Sequence, residues 1–381
     1  MPAVASGTAE IPAVRPPFHA SPAGLMVRAG VAALIGLAVF LVPVLTDAVW
    51  DDRISLAAIF AIIGLSINVL TGYAGQVSLG HQAFVGIGAF MSAFMVKSGG
   101  PHASFLIAVP VAGLTGGAVA FALGLIALRI RGLYLALITL AFGLVAQGSI
   151  FKWRQFTGGG AGAPAPRPTG FESNEAYAYL CLLFLGFFLL VDWRLAKSKA
   201  GRAIVSVRND ERVAATLGVN VVGYKLLAFV VSGFIAGVAG SLFAHQTKFV
   251  YANNFDFTIA LVWVIMAVVG GLGSRAGVVI GSAFFALFPF LLQTVVHAFD
   301  KSASDVTLAS YTPLIGALLL LLTLTRYPGG IAQQLLPIRR WLAGGPLVER
   351  WQPKHALQSA APPRRHTTRR GLRRLRRRSP G

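Results

Sequence analysis

The chain has 381 residues, 55% hydrophobic and only 12% charged, with 33 basic against 13 acidic residues and a net charge of +20. Soluble globular domains carry about 25% charged residues, so this composition excludes an ordinary soluble enzyme and points to a chain that crosses a membrane repeatedly. The positive charge is no nucleic-acid signal, because more than half of it lies beyond Leu336, where no folded domain presents it.

Residues 1–28 hold Glu10, Arg15 and several prolines and form an N-terminal segment outside the membrane. No cleavage site follows the first apolar run, which is therefore expected to be an uncleaved span. A span needs roughly 20 apolar residues. Spans are predicted at 29–46, 54–72, 83–96, 104–128, 133–150, 176–191, 226–244, 258–271, 278–297 and 309–325. The fold class is thus all-α, a polytopic helical domain over 29–335 with about ten spans. For the pair around 73–82 two readings stay open: the segment joins two crossings, or it re-enters. Residues 336–381 form a basic tail, expected to be disordered and to touch anionic lipid headgroups from the cytoplasm.

Orientation follows from the bases. With both termini inside, the inner segments collect most of the 33 bases, and only Arg53, Lys97, Lys152, Arg154, Arg167, Lys248 and Lys301 fall outside. Asp47, Asp51, Asp52, Glu172, Glu175, Asp256, Asp300 and Asp305 lie outside as well.

The predicted spans carry their acids and bases only at edges and in loops. That argues against a proton-coupled carrier and against a selective channel built on charged rings. It leaves sodium coupling through unwound backbone open. The sequence contains no G-x-x-x-x-G-K-[ST] loop. The glycine-rich Gly270-Gly271-Leu272-Gly273-Ser274-Arg275-Ala276-Gly277 lacks the lysine such a loop requires. No catalytic constellation or metal-ligand spacing is present: His81, His245 and His297 are far apart, and Cys181 is the sole cysteine. Polar satisfaction near a span end accounts for each histidine, and burial as a small apolar group accounts for Cys181.

Two features remain. Residues 71–90 are rich in glycine and carry Gln76, Ser78, His81 and Gln82 at the membrane boundary. Residue by residue, hydrogen bonding between helices is the simpler account. For the segment as a whole, a broken helix lining a solute path fits best, and those four residues are the translocation-path candidates. A similar texture recurs at 270–285, too short to establish a repeat.

The second feature is the polar stretch 194–225, inside by the charge count, with Arg194, Lys197, Lys199, Arg202, Arg208, Arg212 and Lys225. Asn209-Asp210-Glu211 offers a helix cap and an acidic first turn. Val213 and Leu217 share a face, and Gly218 is a natural stop. A short amphipathic helix of about two turns is expected over Asp210–Leu217, suited to a protein groove rather than an anionic lipid surface.

Five motifs then carry a resemblance: Gly72-Tyr73-Ala74-Gly75-Gln76-Val77-Ser78-Leu79-Gly80-His81; Gly132 through Leu140; Gly201-Arg202 through Arg208-Asn209-Asp210-Glu211 to Gly218; Gly270 through Ser274; and Tyr327-Pro328-Gly329-Gly330. Together, from about Ser55 to Leu335, they resemble the permease subunits of ABC importers for branched-chain amino acids, most closely the M-type subunit of Liv systems. The resemblance implies a bacterial inner-membrane subunit with no cofactor of its own. ATP would be bound by two cytoplasmic ATPase partners, beside a homologous second permease and a periplasmic solute-binding protein. It makes 194–225 the coupling loop, with Arg202, Arg208, Asp210, Glu211, Ala215 and Gly218 as ATPase-coupling residues. The family's E-A-A and spaced glycine match Glu211, Ala214, Ala215 and Gly218 only loosely, because Arg212 and Val213 intervene. A permease for urea or short amides is the alternative within the family. A self-sufficient ion-coupled carrier and a membrane anchor without transport are the alternatives outside it.

Overall fold

The computed structural model describes residues 47–96, 103–127 and 132–299, with positions 26, 30, 43, 101, 318 and 330–332 beside them. The spans predicted at 29–46 and 309–325 lie almost wholly outside the described residues, as do the N-terminal segment and the basic tail.

Helix α1 (Ala48–Ile67) continues into a π-helical turn at Asn68–Tyr73. There follow α2 (His81–Val96), α3 (Phe105–Ala127), α4 (Leu133–Gly148), α5 (Arg154–Thr157), α6 (Asn174–Lys197), α7 (Lys199–Asn209), α8 (Glu211–Thr216), α9 (Val221–Thr247), α10 (Phe257–Gly270) and α11 (Arg275–Phe299). Two short strands, β1 (Ala163–Pro164) and β2 (Phe249–Val250), pair antiparallel with Ala163 opposite Val250.

Among the described residues, six stretches are long and apolar enough to cross a membrane: Ala48–Tyr73, Phe105–Ile126, Tyr134–Lys152, Asn174–Lys197, Val221–Thr247 and Ala252–Gly270. Two shorter apolar helices, His81–Val96 and Arg275–Leu291, accompany them. Together they fall on every span predicted between 54 and 297. The helix ends differ from the apolar limits. α1 begins at Ala48 and takes in Asp51, Asp52 and Arg53, and α9 begins at Val221 and includes Lys225. Hydropathy stops where charges begin, but the helix continues, because its backbone groups remain satisfied internally on either side of that limit.

Side-chain caps fix the starts. Ser173 Oγ accepts from Ala176 N, Asn220 Oδ1 from Gly223 N, and Asp256 Oδ1 from Ile259 N, each satisfying a donor that the first turn leaves open. Arg194 and Lys197 stand in the last turn of α6, where positive charge suits the helix dipole.

α1 and α9 form the centre. α1 packs against α6, α9 and α11, and α9 against α3, α2 and α1. Away from their charged ends both are predominantly apolar all round, as buried helices are. Glycine lets the backbones meet: a Cβ on Gly240 would run into the Val85 carbonyl, and one on Gly88 into Gly237.

The helices alternate in direction. Phe94, near the end of α2, stacks on Phe156 of α5 with ring centroids 4.6 Å apart, and Ala103 N donates to Met95 O. At that same end Asn174 Nδ2 donates to Ala48 O at the start of α1. The 73–82 segment therefore joins two helices that run through the bundle in opposite senses.

Candidate functional site

At the end of the bundle where α1 finishes, the polar stretch 194–225 is folded. α6 runs to Lys197 and α9 starts at Val221, so only part of the stretch projects. Ser198 caps α7, its Oγ accepting from Gly201 N at 3.0 Å. The inner face of α7 is Gly201, Ile204 and Val207, all buried and three residues apart. This helix is absent from the expectations drawn from the sequence, although its spacing is there to be read.

The helix expected over Asp210–Leu217 is α8, Glu211–Thr216. Asp210 Oδ1 accepts from Arg212 N and Val213 N at 2.8 and 3.1 Å, and Gly218, at φ +78°, ends the segment in the left-handed region. Its length is nearer one and a half turns than two, because Leu217 already leaves helical geometry. Ala214 faces inward and is fully buried, while Val213 and Leu217 are 54% and 74% exposed. Ala215 is exposed as well.

The six coupling candidates separate by role. Asp210 caps α8. Glu211 pairs with Lys225 of α9, whose side chain is 5% exposed, and so pins α8 to the bundle. Arg202 Nη1 donates to Lys197 O at 2.8 Å, closing the end of α6. Ala215 and Gly218 lie on the outward side. Arg208, though exposed, reaches the other way, onto the end of α1.

Arg208 Nη1 donates to the carbonyl of Gly72 at 2.5 Å, in the π-helical turn. Its aliphatic stem lies over Gly75, where a Cβ would come within 2.9 Å of Arg208 Cγ. Gly75 has φ +68°, so glycine is required there for both space and backbone. Asn68, which begins the π turn, accepts from Gly273 N at 2.7 Å. Gly271 and Gly273 also have positive φ, +106° and +85°. Gly330, at φ +65°, packs on the backbone of Val269 and Gly271. On the other side of the break, Leu79 N donates to Thr139 Oγ1 at 3.0 Å, and Gly80 rests against the Thr139 carbonyl. Described residues of four sequence motifs, and Gly330 of the fifth, thus meet around the end of α1.

The path candidates are mostly enclosed. Ser78, His81 and Gln82 are at most 1% exposed, and Gln76 is half-buried. His81 Nε2 is 2.5 Å from Ser66 Oγ, and the Gln82 amide lies against Gly143 of α4. Among the described residues, neither Gln82 amide atom, nor Ser78 Oγ, nor His81 Nδ1 has a hydrogen-bond partner. These groups are polar, enclosed and packed between α1, α2 and α4 in this conformation. His245 is satisfied by Ser92 Oγ at 3.0 Å and Pro166 O at 2.6 Å, and Cys181 is buried, both as expected.

Sequence reasoning missed Asp192, Tyr73 and Arg275. Asp192 Oδ2 accepts from Tyr73 OH at 2.8 Å and lies 3.0 Å from Arg275 Nε. The available signal was an acid next to the inner limit of an apolar span.

The family model for the branched-chain amino acid transport system permease component matches residues 51–324. The high-affinity branched-chain amino acid transport system permease protein LivM of Salmonella typhimurium is 32% identical over 270 residues, covering 64% of this chain and 63% of that protein. LivM of Escherichia coli is 30% identical over 317 residues, covering 76% of this chain and 70% of that protein. The autoinducer 2 import system permease protein LsrC of Salmonella typhimurium is 29% identical over 136 residues, 34% of this chain and 39% of that protein. No solved structure matches the chain. With six apolar helices of spanning length, the chain is a multi-pass bacterial inner-membrane transport subunit rather than an enzyme. It belongs to the family of permease components of branched-chain amino acid transport systems.

Proposed function

We propose that this chain is the permease subunit of an ATP-driven ABC importer, forming part of the translocation path for branched-chain amino acids. The observation that carries the reading is the α7–α8 segment: an outward apolar pair, Val213 on α8 and Leu217 at its C-terminal end, with the short helix pinned to the bundle by Glu211–Lys225. Exposed apolar side chains on a rigid, charged helix suit a protein groove. The sequence has no phosphate loop, so the groove belongs to ATPase chains, two of them, on the cytoplasmic side. A homologous second permease completes the path, and a periplasmic binding protein delivers the solute at the opposite end. ATP serves as the partners' ligand, and this chain needs no cofactor. The domain plan is an N-terminal segment over 1–28, the permease domain over 29–335 and a basic tail over 336–381 that meets lipid.

Arg202, Arg208, Asp210, Glu211, Ala215 and Gly218 build and anchor the docking segment. Gln76, Ser78, His81 and Gln82 are the path candidates, the unpartnered atoms of Ser78, His81 and Gln82 becoming available to solute or water when α2 and α4 separate. Relatives named for branched-chain amino acid transport support the choice of solute.

The test is uptake by vesicles holding the complete transporter with its binding protein. Labelled leucine, isoleucine and valine should enter only with ATP inside. Uptake of urea in their place would move the reading to the short-amide alternative, and uptake driven by an ion gradient without ATP would overturn it.

A further inference from the structure

Arg208 links α7 to the end of α1, but it leaves Asp192 unexplained. Asp192 has no exposed surface, and a carboxylate in that position is costly unless paired. Its two partners come from different places. Tyr73 closes the π-helical turn of α1, and Arg275 opens α11 directly after the 271–274 turn. A single oxygen on α6 therefore holds both glycine-rich breaks. Without it, the breaks share the Gly273 N to Asn68 hydrogen bond and the packing of glycine on glycine. Positive-φ glycines at 75, 271 and 273 make these turns natural hinges. The Arg275 side chain is 30% exposed, so it can withdraw toward solvent while Asp192 stays inside.

We infer that Asp192 and Arg275 are positioning residues of the transport cycle: their ion pair, with Tyr73, clamps the 271–274 turn to the π-helical turn so that a displacement entering through Arg208 moves both breaks together. The inference rests on the reading of α7–α8 as the ATPase-docking segment. Two springs fixed to one post move as one; cut the post and only the break touched by Arg208 responds.

The test uses the complete transporter in vesicles and compares Arg275→Gln, Asp192→Asn and the double variant, which leaves no unpaired buried charge and so folds even where a single change does not. Leucine moved per ATP hydrolysed should fall about tenfold, the scale of residues that carry coupling between sites, while ATPase stimulation is kept. The double variant should lose no more than either single one, as for a mutual pair. An unchanged ratio, whether both rates are normal or both decline, overturns the clamp, and so do additive losses. A second measurement needs no solute. Hydrogen exchange in 68–75 and 271–277 should respond together to ATP in the wild type, and only 68–75 should respond in Arg275→Gln. A joint response in that variant overturns the clamp. Leu217→Glu run in parallel reports on docking alone: full ATPase stimulation there sinks the docking reading, and loss of stimulation leaves the result at 192 and 275 to be read separately.

Discussion

Arg208 reaches from the outer turn of α7 to the carbonyl of Gly72, 136 residues earlier in the chain. The carbonyl is available because Gly72 stands next to last in the π-helical turn, where carbonyls have no onward helical partner. A guanidinium fills that role because it spans the gap and stays charged in any environment. It gives the projecting segment a direct hold on the backbone of the central helix.

Replacing Arg208 by alanine should therefore separate docking from movement. A hydrogen bond from a charged donor contributes about 1.5–3 kcal/mol, enough to lower coupled uptake by about tenfold or more. Assembly with the ATPase chains should persist, since Val213 and Leu217 are untouched. Copurification together with uptake measurements checks this, and loss of the ATPase from Arg208→Ala would show that Arg208 belongs to the docking face.

The docking face has its own signature. Leu217 is 74% exposed, so Leu217→Glu should leave folding unchanged within about 0.5 kcal/mol, as for a surface substitution. At an interface, burying that carboxylate without a partner costs several-fold more. The expected result is a normal melting temperature with ATPase subunits lost from the purified complex. Retention of the ATPase at wild-type levels would place the contact elsewhere.

How much of this is legible in the sequence depends on the range of the forces involved. The spans follow from apolar runs, and the α8 cap from Asp210 and its neighbours, because both are local. α7 escapes the sequence reading although Gly201, Ile204 and Val207 recur at helical spacing, since its charges dominate the segment's composition. The roles of Arg208 and Asp192 are not readable there, because each is fixed by a partner more than 80 residues away. The glycine motifs are visible as texture. Their reason, two turns pressed together at Gly72 and Gly273, is tertiary. The polar groups at 76–82 stand out in an apolar chain, but whether they face a path or a neighbouring helix depends on where α4 stands.

Glycines in this bundle divide into those that are squeezed and those that are free. Gly240 of α9 lies against the Val85 carbonyl, whereas at Gly186 of α6 a Cβ would meet nothing within 4 Å. Gly240→Ala forces α2 and α9 apart and should destabilise by about 1–3 kcal/mol, the range for overpacking. Gly186→Ala should be neutral or stabilising by about 0.5–1 kcal/mol, the helix preference of alanine over glycine. Melting of the two purified variants in the same detergent checks the difference in sign. Equal melting temperatures would mean that the α2–α9 contact yields more readily than its geometry indicates.

Cys181 supplies a probe that needs no mutation. It is the sole cysteine in the chain and is fully buried on α6, close to Tyr177, whose hydroxyl donates to Leu242 O at 2.6 Å. A thiol-reactive maleimide can reach it only when α6 separates from α1 and α9, and protection then measures the free energy of that opening. An opening that costs about 3 kcal/mol would slow labelling by roughly a hundredfold or more relative to the unfolded chain. Native protein should therefore remain unlabelled over minutes in which detergent-unfolded protein reacts completely. Because Asp192 lies eleven residues further along the same helix and holds its inner end, Asp192→Asn should accelerate labelling, whereas Leu217→Glu, at an exposed position just past the end of α8, should leave the rate unchanged. Fast labelling of the native wild-type protein would show that α6 is not locked into the bundle as its buried face requires.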